Sequence, residues 1–289
     1  MNYFFHLGIM LEIYVLLAIA LNYILGYAGM LSLCQAMYYG IGAYVAALLG
    51  VKLDIPFLLI LPAAMLFAGV SGWLVSLLAR RLRDLYFALA TLSVQVIFFS
   101  LTYNWVEVTR GPFGITGIPN PNILGWHVND VPEYFLFGGI MLGLVLIFSL
   151  WFQKTSVCRM MRCVRDDAIT VTSLGKDPEH YKALASIIGA TISAISGVLY
   201  ATYVTYIDPT SFTLDESILI LSILMIGGSG NLAGPLAGAV IYILIPEALR
   251  EFDLSNNVAA NVRLIIFGLL LVALVRFRPN GIFGVFQIK

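Results

Sequence analysis

Long apolar runs, separated by short polar or glycine-rich stretches, dominate the chain. Nine runs stand out, at residues 9–27, 31–49, 57–78, 85–104, 134–152, 181–206, 217–226, 236–249 and 262–275. A run of about 20 apolar residues crosses the hydrocarbon core of a bilayer as a helix. The pattern therefore predicts an all-α, polytopic transmembrane bundle of about 8–10 spans. The runs 217–226 and 236–249 are short for full spans. Four glycines interrupt 26–42. Such segments predict broken or re-entrant helices, tolerated where protein covers the freed backbone. The alternating ten-residue pattern of an outer-membrane barrel is missing. One domain over 1–289 is expected, with a polar loop at 153–181 and another at 105–133.

Composition agrees. The chain is 60% hydrophobic and 11% charged, with mean hydropathy +0.93. Soluble domains carry about 25% charged residues, so this chain has too few to coat a water-facing surface. The start of the chain runs directly into an apolar stretch without a basic leader. It reads as a retained span.

Charge placement sets the expected orientation. Arg80, Arg81 and Arg83 follow the third run. Lys154, Arg159, Arg162, Arg165, Lys176 and Lys182 fill 153–181, and Arg276, Arg278 and Lys289 close the chain. These groups hold most of the 16 basic residues. Cytoplasmic loops carry the excess of Lys and Arg, so these three regions read as cytoplasmic, the C-terminus included. The 105–133 loop reads as external, with Arg110 its one basic residue against Glu107, Asp130 and Glu133. So do Asp208, Asp215, Glu216, Glu251 and Asp253. Nine crossings would put the N-terminus outside. One mis-assigned early segment would reverse it.

Within 153–181, Val164, Ala168, Val171 and Leu174 recur at helical spacing and predict one amphipathic helix outside the membrane. Gly175 and then Pro178 form a stop signature. The narrow stripe and the adjacent Asp166 and Asp167 suit a groove on a soluble protein better than an anionic lipid surface. Inside the spans, Asn22, Ser32, Gln35, Thr91, Ser93 and Gln95 are polar. They offer either interhelical hydrogen bonds or a path for a zwitterion, with Gln35 and Gln95 the best-placed path residues. Ionisable groups are nearly absent there, Glu12 being read near the external end. Charges inside spans mark ion pathways, so their scarcity argues against an ion-coupled carrier. Cys34, Cys158 and Cys163 have no metal spacing, and a disulfide is not expected. His6, His127 and His180 are scattered. No Ser/His/Asp set or buried carboxylate pair suggests an enzyme. No Gly-x-x-x-x-Gly-Lys-Ser/Thr phosphate loop is present, so this chain is not an ATP-hydrolysing motor.

The stretch 26–32 (GYAGMLS) echoes 227–233 (GGSGNLA). The simpler explanation is that small residues recur where membrane helices pack closely. Transporters also contain repeats with broken helices at matching positions.

These motifs carry a resemblance. The sequence 26–32 followed by 39–44 (YGIGAY), then 85–92 (LYFALATL) and 109–119 (TRGPFGITGIP), resembles the branched-chain amino acid ABC transporter permeases. Arg165-Asp166-Asp167 with Leu174-Gly175, then Asp208-Pro209 and 227–235, are similar to later motifs of that family, in the same order. Urea and amide permeases share much of this pattern. The resemblance implies an ATPase-coupling site at Arg162, Val164, Arg165, Asp166, Asp167, Ala168, Leu174 and Gly175. The residues Asn22, Ser32, Gln35, Thr91 and Gln95 are the candidate path. It implies a homologous permease partner, cytoplasmic ATP-binding subunits holding ATP and Mg, and an external solute-binding protein, in a lipid membrane and without nucleic acid. No cofactor is expected in this chain. The sequence departs at Cys34, where the family usually has a small residue, and at Arg110, where it usually has glycine. The acidic start of the general importer coupling motif would fall at Ile169.

Overall fold

The computed structural model describes residues 2–53, 55–79, 82, 84–123, 126–128, 130–250 and 281–284. The run 262–275, the arginines 80, 81, 83, 276 and 278, Lys289, Glu251 and Asp253 lie outside the described residues.

The described chain is an all-α bundle. α1 (Asn2–Leu21) continues as a π-helical turn (Asn22–Tyr27). After a break, α2 (Gln35–Ala47) runs into a second π turn (Leu48–Lys52). α3 (Phe57–Ala79) and α4 (Asp84–Asn104) follow. The 105–133 loop holds a one-turn helix, α5 (Val106–Thr109), and three two-residue strands: β1 (Ile115–Thr116), β2 (Asn122–Ile123) and β3 (Trp126–His127). Then come α6 (Val131–Gln153), α7 (Ser156–Asp166), α8 (Ala168–Ser173), α9 (Pro178–Val204), β4 (Tyr206–Ile207), α10 (Leu214–Gly227) and α11 (Ala233–Arg250). β1 pairs antiparallel with β4, Ile115 opposite Ile207, tying the 105–133 loop to the α9–α10 connection.

Among the described residues, five helices are long and apolar enough to cross a membrane: Tyr3–Tyr27, Phe57–Ala79, Leu85–Asn104, Val131–Gln153 and Pro178–Val204. The most apolar window of α9 is 67% buried and that of α1 is 56%. For α3, α4 and α6 the share is 33% or less, so these three form the outer wall. Leu66, Phe67, Ile97, Ile147 and Trp151 point outward from them, as a lipid-facing surface requires.

α9 packs along α1, α2 and α3. Close approach is what makes this possible. A Cβ on Gly42 of α2 would lie 2.6 Å from Ala194 Cα of α9. One on Gly72 of α3 would lie 2.7 Å from the Ser186 carbonyl oxygen. Small residues are the usual currency of such contacts, since lipid offers no hydrophobic drive for helices to associate.

The run 31–49 is not one continuous span. Residues 28–34 are non-helical and α2 starts at Gln35. Glu12 is not near a helix end either. α1 extends back to Asn2, so Glu12 lies about 13 Å along the axis from Tyr3. It is buried against α6, where a Cβ on Gly139 would meet its Oε1 at 3.3 Å. Glu216 also lies deeper than its charge suggested. Its neighbour Ser217 reaches Gln95, midway along α4, so α10 begins inside the bundle. There Glu216 stands near Tyr14.

Candidate functional site

Two features combine at one end of the bundle: a polar segment (α7–α8) and the interior break after α1.

The expected single amphipathic helix is two helices. α7 ends at Asp166 and α8 begins at Ala168. Asp167, extended at φ −159°, caps α8 by accepting from the Ile169 and Thr170 N–H groups at 2.9 and 3.3 Å. An aspartate at this position competes with helix continuation by offering the next turn its side chain. The same bonds, led by that from the Thr170 hydroxyl, hold the Asp167 carboxyl below the usual carboxylate range. The predicted stop is present. Gly175 adopts φ +74°, and Lys176 N–H returns to the Val171 carbonyl at 3.3 Å. Left-handed glycine after a helix is the expected geometry for this closure. Pro178 then opens α9, capped by Asp177.

The break also divides the apolar stripe. Val164 and Val171 are buried against the bundle, with Cys158 and Met161 beside them. Leu174 is 70% exposed and Ala168 half-buried. The stripe therefore does not present one docking face. The outward apolar residues are Leu174 and Ile169, the latter 80% exposed. Ile169 was missed as a surface residue because it is out of phase with the stripe. Its sequence signal was an isoleucine two residues after a helix cap.

α7 is fastened to the α1 break. Arg165 Nη1 donates to the Gly26 carbonyl at 2.7 Å and its Nε to Asp166 at 2.9 Å. The Arg162 guanidinium stands 5.0 Å from the Tyr27 ring centroid, within cation–π range. Gln153 Nε2 donates to the Tyr27 hydroxyl at 2.7 Å. Gly29, at φ +72°, lies under Arg165, whose Cγ would be 2.7 Å from an added Cβ. Only glycine meets both demands there. A polar cavity of about 860 Å³ opens between these parts, lined among others by Leu31, Phe87, Asp166, Thr172 and Lys182.

The polar residues expected in the path are all buried. Four of them surround the start of α2, which lies at mid-depth, where its free N–H groups have no water. Leu33 N–H donates to Thr91 Oγ1 at 3.0 Å, and Ala36 N–H to Ser217 Oγ at 2.9 Å. Met37 N–H donates to Gln95 Oε1 at 2.8 Å, while Gln95 Nε2 donates to the Phe212 carbonyl at 2.8 Å. Gln35 Nε2 donates to Ser193 Oγ at 2.5 Å, and Ser32 Oγ is 3.2 Å from Cys34 Sγ. Asn22 stands apart from this group. It donates to the Asn231 carbonyl at 2.7 Å and accepts from Gly230 N–H at 2.8 Å, joining the π turn to the α10–α11 connection. Ser93, by contrast, bonds only its own helix, at the Leu89 carbonyl.

At the opposite end, Lys52 Nζ donates to the carbonyls of Glu107 and Val108 at 3.3 and 3.0 Å. Arg110 sits left-handed at φ 60°, a conformation that glycine adopts without penalty. All three cysteines are free thiols, and burial pushes that of Cys158 up.

Apolar helices exposed on their outer wall, with interior breaks sealed by buried polar groups, define a multi-pass helical membrane protein. The chain belongs to the family described as branched-chain amino acid transport system permease components, whose model matches residues 3–275. The high-affinity branched-chain amino acid transport system permease protein LivM of Escherichia coli (strain K12) is 29% identical over 293 residues, covering 93% of this chain and 67% of that protein. The probable branched-chain amino acid transport permease protein LivM of Methanocaldococcus jannaschii is 25% identical over 239 residues, covering 77% and 68%. The corresponding LivH protein of Salmonella typhimurium is 26% identical over 289 residues, covering 94% and 91%. No solved structure matches the chain.

Proposed function

We propose that this permease component is the membrane-spanning path of an ATP-driven importer for branched-chain or related hydrophobic amino acids. An external binding protein delivers the solute. A homologous permease completes the path. Separate cytoplasmic subunits bind ATP and Mg, and this chain holds no cofactor. The observation that carries the reading is the α7–α8 segment. It is anchored to the bundle through Arg165 and Val164, yet turns Ile169 and Leu174 outward. A permease without a motor needs such an element to receive force from a soluble partner. Arg162, Asp166, Asp167, Ala168 and Gly175 shape it. The α7–α8 end is cytoplasmic, as its basic residues favour, and the start of α1 is external. Ile282 and Phe283 bond the carbonyls of Ile226 and Gly227 at 3.1 and 2.9 Å, at the cytoplasmic end of α10. This supports a C-terminus on the same side.

A second reading has one observation in its favour. Glu12 is buried within α1, and half-buried Glu216 adjoins Ser217, which reaches the middle of α4; acids within membrane spans mark ion pathways by default. The scarcity of buried charge therefore no longer counts against an ion-coupled carrier, and family membership is what favours the importer.

The test is reconstitution in liposomes with a homologous permease, the ATP-binding subunits and a leucine-loaded binding protein. Stimulated ATP hydrolysis with leucine accumulation is expected. Response to urea or a short amide alone would change the cargo. Uptake by this chain alone under an ion gradient would overturn the importer reading.

A further inference from the structure

The π turn Asn22–Tyr27 is held from two directions by parts of the chain far apart in sequence. From one side come α7 and the end of α6: Arg165 on the Gly26 carbonyl, Arg162 over the Tyr27 ring and Gln153 on its hydroxyl. From the other comes the α10–α11 connection, through both polar atoms of the Asn22 amide. A Cβ on Gly26 would lie 2.7 Å from Gly230 N, so the two backbones are in direct contact. The turn leads directly into residues 28–34 and the N-terminus of α2, where Thr91, Ser217 and Gln95 seal the break. π turns are poorly optimised and concentrate at functional positions.

We propose that this π turn is the transmission element of the permease, and that Arg165 and Asn22 are the positioning residues that work it. The inference rests on the importer reading. Displacement of α7–α8 by a motor subunit pulls the Gly26 carbonyl through Arg165. Because Asn22 is one turn earlier on the same element, the α10–α11 connection moves with it. Two interior breaks, remote in sequence, are thereby shifted together. Arg165 does not contribute mainly by meeting the motor. Its side chain is only 10% exposed and is directed into the bundle.

The experiment compares Arg165→Ala, Arg165→Lys, Asn22→Ala and the double variant Arg165→Ala with Asn22→Ala in the reconstituted complex. The readout is leucine transported per ATP hydrolysed, with binding protein saturating. Loss of one charge-assisted bond from the linkage is expected to lower that ratio about tenfold in Arg165→Ala. Asn22→Ala should lower it in the same direction. The double variant should be no worse than the poorer single one, as expected of two links in series. Arg165→Lys should recover part of the loss, since an ammonium reaches the Gly26 carbonyl but lacks the guanidinium fork. A residue that serves only to dock the motor would reduce hydrolysis and uptake together. A ratio unchanged within about twofold overturns the proposal, whether the separate rates fall or hold. Should Arg165→Ala fail to assemble, Arg165→Lys and Asn22→Ala are judged by the same ratio. If the unaltered complex shows no ATP-dependent uptake, the importer reading fails and the proposal falls with it. If it transports normally and the ratios hold, the proposal alone fails.

Discussion

Gln95→Leu should be among the more damaging single changes in the bundle, and Gln35→Leu among the milder, although both replace a fully buried glutamine. Gln95 serves three partners: the Met37 N–H of α2, the Phe212 carbonyl of the α9–α10 connection and the Ser217 hydroxyl of α10. Leucine is similar in size and keeps the packing, but leaves a backbone donor and a backbone acceptor unpaired at mid-depth. Each such orphan costs about 1–3 kcal/mol, giving about 2–6 kcal/mol in all. Gln35 makes one interhelical bond, to Ser193, and its Oε1 has no partner. Interhelical side-chain bonds in membranes average about 0.6 kcal/mol. Leucine also removes the cost of the unpaired oxygen, so Gln35→Leu should change stability by about 1 kcal/mol or less. Reversible unfolding in mixed detergent and SDS micelles, followed by circular dichroism, measures both. Equal effects, or a larger loss in Gln35→Leu, would refute the claim that the α2 N-terminus is sealed by Gln95.

Arg110→Gly should stabilise the protein by about 1 kcal/mol, because glycine avoids the left-handed penalty; the same micelle assay decides, and a loss would mean that the arginine side chain sets the loop. Asp167 titrates below its usual range, so its cap is intact above the ordinary aspartate pKa of about 3.9 and is lost as pH falls through the lowered value. Protection of the Ile169 and Thr170 amides from hydrogen exchange, relative to their intrinsic rates, should therefore be lost only in acid, and Asp167→Ala should lack it at every pH. Glu12→Gln should leave ATP-driven uptake within about twofold of the parent, measured both with the proton gradient present and with it collapsed; loss of a component seen only with the gradient present would favour the ion-coupled reading.

Much of the architecture was legible because lipid imposes few solutions. The apolar runs located α3, α4, α6 and α9 within a few residues, and the glycines of 26–42 marked a real interruption. What failed had local physical causes. The first apolar run begins at residue 9, yet α1 extends back to Asn2, with His6 satisfied by the Tyr203 hydroxyl at 2.7 Å. That partner is 197 positions away, and no local pattern supplies it. Asp167 was read as decoration on a helix face. As a cap it ends one helix and starts another, and this moved Ile169 and Leu174 to the outside. The polar residues in the spans were visible, but not their partners. Thr91 and Gln95 bond backbone groups across more than fifty residues.

The echo between 26–32 and 227–233 gains meaning from the fold. Small residues do recur at close contacts, as the simpler explanation holds, since Gly26 meets Gly230. Both stretches also interrupt helices at the same end of the bundle. α1 descends to its break and α2 returns from it; α10 descends to a break and α11 returns. The two helix–break–helix units therefore run in the same sense, so any repeat relating them is parallel rather than inverted. A parallel arrangement brings both breaks to one level, where a single asparagine can bridge them. An inverted one would place them at opposite depths. Asn22 spans the junction with one amide, and that is possible only because the two units share a direction.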